Sequence, residues 1–169
     1  ATAATKPAKK PAETTAKTDA KPAAEKTVPT RKVSLFFVVI DADGSVVRKE
    51  VTREIPQTDS PLTETLQALF RGPNQAESGK GYRSLIPSGS RILSVNVKNG
   101  VATLNLSEEF QFNQYGIEGY LGQLSEIVFT ATAFSTVNSV QFLIDGQRRE
   151  YLGAEGVWIG TPLSRDKFQ

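Results

Sequence analysis

Residues 85–107, LIPSGSRILSVNVKNGVATLNLS, decide the fold. Asn99-Gly100 stands between two runs in which apolar and polar residues alternate. Asn-Gly suits a two-residue type I′ turn, because both central positions need φ > 0. With strands at Arg91–Val97 and Val101–Leu106, that turn sets Lys98 opposite Val101, Val97 opposite Ala102, Val95 opposite Leu104 and Leu93 opposite Leu106. Side chains alternate faces along a strand, so Leu93, Val95, Val97, Ala102, Leu104 and Leu106 share one face. Ser94, Asn96, Thr103 and Asn105 share the other. One apolar and one polar face describe a sheet covered on one side only. The cover has to come from elsewhere in the chain.

Two helical patterns can supply it. Ser60-Pro61 opens the first, with Ser as N-cap and Pro at the first helical position. Leu62, Leu66, Leu69 and Phe70 then make one apolar stripe, and Arg71-Gly72-Pro73 stops the helix. The second pattern runs from Ile117 to Phe134, with Tyr120, Leu121, Leu124, Ile127, Val128 and Ala131 returning every three to four residues. Gly116, Gly119 and Gly122 weaken its first turns, and close helix packing is the expected reason for them.

The remaining strands follow from shorter signals. Val33–Ile40 is a near-continuous apolar run, the mark of a strand buried on both faces. Asp41-Ala42-Asp43-Gly44 turns it into a more polar strand, Ser45–Ile55. Residues 72–84 read as a loop. Ser139–Ile144 is a strand, and Asp145-Gly146 turns it into Arg148–Leu152. A short strand around Val157–Ile159 is expected to pack Trp158.

The net charge of +2 is unevenly spread. Residues 1–32 hold eight Lys or Arg against three acidic residues, so the remainder is net acidic and has no electropositive excess to bind nucleic acid. Residues 1–30 are built from Ala, Thr, Lys and Pro, with Val28 as the only branched aliphatic residue. Such a segment cannot bury enough apolar surface to offset its ordering entropy, so residues 1–32 are expected to be a disordered linker and 33–169 a single domain. No run approaches the length of a membrane helix, so any anchor is expected upstream of residue 1.

The chain lacks both Cys and His. Ser-His-Asp triads, Cys-His dyads and His/Cys zinc sites are therefore excluded. Asp41-Ala42-Asp43-Gly44 places its glycine too early for a calcium loop. Ser78-Gly79-Lys80 lacks the spacing and preceding strand of a phosphate loop. The neighbouring carboxylates Glu108 and Glu109 read as solvated charge near a helix start, the rival being a pair that cleaves glycans. No catalytic, cofactor-binding or metal-ligating residue is assigned. Phe112 and Tyr115 lie in a polar loop, where aromatic residues either close the core or anchor a partner. With Asn96 and Thr103 on the bare sheet face, they are the candidate partner-binding residues.

Taken in order, LQALFRGP (66–73), LIPSGSRILSVNVKNGVATLNLSEEF (85–110), EIVFTATAF (126–134) and NSVQFLIDGQ (138–147) resemble a GerMN domain, the bacterial sporulation and germination module. Departures are QAESGKGYRS (75–84) and the glycine-spaced segment 116–122. The resemblance implies an α+β fold. Two helices would pack on one face of a small mixed, mainly antiparallel sheet in β-α-β-β-α-β order, with extra hairpin strands. It also implies a non-catalytic, extracytoplasmic protein–protein interaction module of the cell envelope, with no cofactor. Expected partners are envelope proteins or a second copy, with peptidoglycan binding or cell-wall modification as the alternative. Membrane contact is expected only through an upstream signal anchor or lipid.

Overall fold

The chain enters the fold as a long hairpin, β1 (Thr30–Ile40) and β2 (Val46–Pro56). The computed structural model describes residues 29–154 and 156–168. The expected linker therefore lies outside the described residues as far as residue 28. β1 starts before Val33 because Thr30, Arg31 and Lys32 pair with Pro56, Ile55 and Glu54. At the turn, Gly44 has φ 84°, and Asp43 accepts hydrogen bonds from the backbone N–H and hydroxyl of Ser45 at 2.9 and 2.6 Å. That carboxylate serves the turn. Val33, Leu35 and Phe37 are buried on one face of β1 and Val38 on the other, as its apolar run implied. β2 is mostly exposed and forms one edge of its sheet.

α1 (Pro61–Arg71) has the expected limits, and it buries Leu62, Thr65, Leu66, Ala68 and Leu69. Ser60 stands at its N-cap without a side-chain cap bond. The expected loop 72–84 instead contains a short helix, α2 (Gln75–Gly79), and a strand, β3 (Tyr82–Arg83). The cause is a capping box: Asn74 Oδ1 accepts the Glu77 N–H at 2.8 Å while Glu77 Oε1 accepts the Asn74 N–H at 2.9 Å. β3 pairs with β1 at Val38 and Val39, giving a sheet of order β2-β1-β3.

The Asn99-Gly100 hairpin is β4 (Ile92–Lys98) and β5 (Val101–Leu106). Asn99 and Gly100 have φ 52° and 78°, as a type I′ turn requires. The expected register holds from Lys98–Val101 to Ser94–Asn105 and then slips, so that Ile92 rather than Leu93 faces Leu106. The irregularity takes Leu93 off the apolar face and leaves it 46% exposed. Val97 is also exposed, because β4 is an edge strand, whereas Ala102, Leu104 and Leu106 on β5 are fully buried.

A 3-10 turn (Glu108–Gln111) leads to α3 (Gly116–Thr132), then to β6 (Ser139–Ile144), parallel to β5, and β7 (Gln147–Arg148). The second sheet has the order β4-β5-β6-β7. The expected strand Arg148–Leu152 is broken. Its end forms β8 (Tyr151–Leu152), which pairs with β9 (Val157–Trp158) in a separate hairpin. The α+β class and the mixed, mainly antiparallel pairing are as expected, with the strands divided among three sheets.

α3 is the axis of the molecule. Every residue from Gly122 to Ala131 is buried, including the polar Gln123, Ser125, Glu126 and Thr130. Thr130 Oγ1 accepts the Phe36 N–H at 3.1 Å, so the helix occupies the edge of β1 that faces away from β2. A Cβ on Gly122 would collide with Leu85, and one on Gly119 with Asn113 and Tyr115, which accounts for two of the three spaced glycines. Phe70 from α1, Phe110 and Phe142 from β6 stack in series at 6.5 and 6.0 Å, joining the helices to the second sheet.

Candidate functional site

Phe112 and Tyr115 do not close over the core. They are 66% and 63% exposed and stand beside a groove of about 490 Å³, whose facing wall is Ser84–Ser88. Both walls are held from beneath by polar side chains of α3. Glu126 Oε2 accepts the Leu85 N–H at 2.9 Å, and Gln123 Nε2 donates to the Phe110 carbonyl at 2.8 Å. Asn113 bridges the walls by donating to both Gln123 Oε1 and the Leu85 carbonyl, while its own Oδ1 accepts the Tyr115 N–H. Tyr120 adds a hydrogen bond to the Gln111 carbonyl at 2.7 Å. Packing and hydrogen bonds therefore set the backbone from which the two aromatic rings project.

The electrostatics of this site are uneven. Among the described residues Glu126 is buried without a charged partner, and desolvation raises its carboxyl well above the usual range despite the hydrogen bond from the Leu85 N–H. Its Oε1 has no hydrogen-bond partner among the described residues. Glu109, at the groove mouth, is fully solvated, and its hydrogen bond with the Ser107 hydroxyl draws its carboxyl below the usual range. Carboxyl-based glycan cleavage needs an acid kept protonated in the cleft beside a second carboxylate. Glu126 does not line the groove, and Glu109 is held in the ionised form. Among the described residues, no three Asp or Glu side chains gather as a metal site.

Asn96 and Thr103 form a cross-strand pair on the outer face of the β4–β5 hairpin, Asn96 exposed and Thr103 half-buried. Neither lines the groove of Phe112 and Tyr115, so the candidate residues fall on two surfaces. On the same outer face Asn105 is engaged, its Oδ1 accepting the Gly146 N–H. A third surface escaped the sequence reading. Tyr151 and Trp158 are 54% and 37% exposed and meet edge to face at 5.4 Å across the β8–β9 hairpin. Trp158 packs on this surface rather than in the core, and its indole donates to Thr161. The signal for it was weak, because Tyr151 and Trp158 become neighbours only through that pairing.

Residues 34–150 match the family model described as Germane, sporulation and spore germination. The spore germination protein GerM of Bacillus subtilis (strain 168) is 28% identical over 128 residues, which cover 75% of this chain and 34% of that protein. The chain thus spans about a third of the length of that relative. The tandem GerMN domains of GerM superpose with a TM-score of 0.68 at 19% identity, over 86% of this chain and 49% of theirs. The first GerMN domain of GerM alone gives 0.61 at 26% identity, over 79% of this chain and 98% of that domain. A candidate lipoprotein from Clostridium perfringens gives 0.58 at 23% identity, over 83% and 91%. Among the described residues, no helix is long and apolar enough to cross a membrane.

Proposed function

The chain belongs to the Germane family, and from that premise we propose that it is a non-catalytic, extracytoplasmic protein–protein interaction domain. It helps to assemble or regulate a bacterial cell-envelope complex of the sporulation or germination type. An anchor upstream of residue 1, either a signal anchor or a lipid, holds it at the membrane. The observation that carries this reading is the pair of aromatic rings, Phe112 and Tyr115, exposed on a braced backbone beside a groove. Exposed aromatic side chains that lose little conformational freedom on contact are the usual energetic centre of a protein interface. A carboxylate-poor groove in a chain without His or Cys offers little to acid–base chemistry. Asn96 and Thr103 supply a second contact surface on the bare sheet face.

The test compares wild type with Phe112→Ala/Tyr115→Ala and Asn96→Glu/Thr103→Glu in crosslinking pull-downs from envelope extracts. A reproducible protein partner should be captured by wild type and reduced at least about tenfold by the aromatic double variant. Absence of any reproducible partner overturns the reading. Peptidoglycan binding is the second reading, supported by the exposed Tyr151–Trp158 pair. Co-sedimentation with purified peptidoglycan that is lost in Tyr151→Ala/Trp158→Ala would favour it. Release of sugar products that stops in Glu109→Gln would reassign the domain as an enzyme.

A further inference from the structure

Arg48 and Arg165 come from opposite ends of the chain and meet on one aromatic ring. The Arg48 guanidinium lies 3.5 Å from the Phe129 ring centre and that of Arg165 lies 4.7 Å from it. The two charges are thus no further apart than those distances combined. Arg165 is fixed: its Nε donates to Thr132 Oγ1 at 2.8 Å and one Nη to the Phe129 carbonyl at 3.0 Å. Its other Nη, and the whole guanidinium of Arg48, have no hydrogen-bond partner among the described residues. Burial first, and the nearby Arg165 second, lower the Arg48 pKa. Beside Arg48 opens a cavity of about 290 Å³ with Lys167 on its rim and Val38, Leu121, Gly122 and Phe168 in its lining. Two acids stand close in space or sequence: Glu118 lines the cavity and Asp166 lies between Arg165 and Lys167. Neither forms an ion pair with these cations, for the ion pair found among the described residues is Arg53–Glu77.

One arginine suffices to cover Phe129. A second, half-buried on the same ring without a counter-charge, leaves guanidinium N–H groups free to receive an anion. We propose that Arg48 and Lys167, which line the cavity, form with the neighbouring Arg165 a binding site for a phosphate-bearing ligand, seated in the cavity against the Phe168 ring. Planar guanidiniums with free N–H groups match the oxygen geometry of a phosphate ester, and a lysine adds a point charge at the rim. The ligand's chemistry is shared by soluble phosphate esters and anionic lipid headgroups. The site lies apart from the groove of Phe112 and Tyr115, and the inference does not rest on the function proposed for that groove.

Thermal unfolding of the full chain in sodium phosphate and in sodium chloride of matched ionic strength tests the site. Phosphate should raise the midpoint of wild type by about 2–4 °C. Arg48→Gln should abolish that rise. Lys167→Gln, whose exposed side chain leaves the fold intact, should reduce it, and Lys98→Gln, outside the cluster, should keep it. Co-sedimentation with phosphatidylglycerol vesicles, against phosphatidylcholine vesicles, identifies the source. Vesicle binding reduced at least about fivefold by Arg48→Gln assigns a lipid headgroup. A phosphate effect without Arg48-dependent vesicle binding assigns a soluble phosphate ester. Equal midpoints of wild type in the two salts, or a rise undiminished in both Arg48→Gln and Lys167→Gln, overturns the proposal.

Discussion

α1 and α3 carry similar apolar stripes in the sequence and end in different surroundings. α1 buries one face and gives Gln67 and Arg71 to solvent. α3 is enclosed from Gly122 to Ala131, and the polar residues that break its apolar pattern are not its wet side. Thr130 satisfies an edge of β1, Gln123 holds Phe110 and Asn113, and Glu126 holds Leu85. A polar residue off the apolar stripe thus has two meanings. On a helix against one layer it marks solvent; on a helix between layers it marks a neighbouring backbone with an unpaired group.

The contrast breaks most visibly with Leu124→Ala on α3, expected to cost about 2–5 kcal/mol in denaturant unfolding, since Leu124 is fully buried. Gly122→Ala should be next. It is an improved helix former yet forces Leu85 aside, so a net loss of about 1–3 kcal/mol is expected, together with a disturbed groove wall. An equal or higher stability would show that the Leu85 wall is pliant.

Glu126→Gln sharpens the comparison through pH. The folded carboxyl titrates well above its ordinary value of 4.5, so between the unfolded and folded values the native state holds a proton that the unfolded state has released. Stability from this group is complete below the unfolded value and is lost as pH rises through the folded one. The variant cannot titrate there. Wild type minus variant, measured by urea unfolding across pH 4 to 8, should become more unfavourable to wild type as pH rises. The smallest effect belongs to α1: Gln67→Ala on its exposed face should stay within about 0.5 kcal/mol of wild type.

Much of the fold was legible where a local rule has no competitor. Asn99-Gly100 announced its turn, Ser60-Pro61 and Gly72-Pro73 bounded α1, and Ser139–Ile144 was found to the residue. The capping box Asn74-x-x-Glu77 was present to be read, and α2 followed from it. The slip at Leu93 was not read, because Ile92 and Leu93 are both apolar and either could face the core; tertiary packing decides for Ile92. The same limit applies to the sites. Phe112 and Tyr115 stood out as aromatics in a polar loop, but whether they face inward or outward depends on a groove built from residues 84–88. Arg48, Phe129 and Arg165 share no local pattern, and the fold alone brings them together.

The edge of β2 has a consequence for association. The Phe36 N–H leaves β1 on the side away from β2, and Asp41 donates to the Ser45 carbonyl, so the even-numbered residues of β2 direct their backbone groups outward. Two copies of β2 joined antiparallel must therefore pair even with even and odd with odd. Alignments that set Glu50 on Glu50 or Glu50 on Glu54 bring only like charges face to face, whereas those that set Lys49 on Lys49 or Lys49 on Arg53 also bring Arg48 opposite Glu50 or Glu54. Like charges directly opposite destabilise such a pair. Charge therefore disfavours self-pairing of this open edge in the two registers that face Glu50 with Glu50 or Glu54, and not in the two that face Lys49 with Lys49 or Arg53.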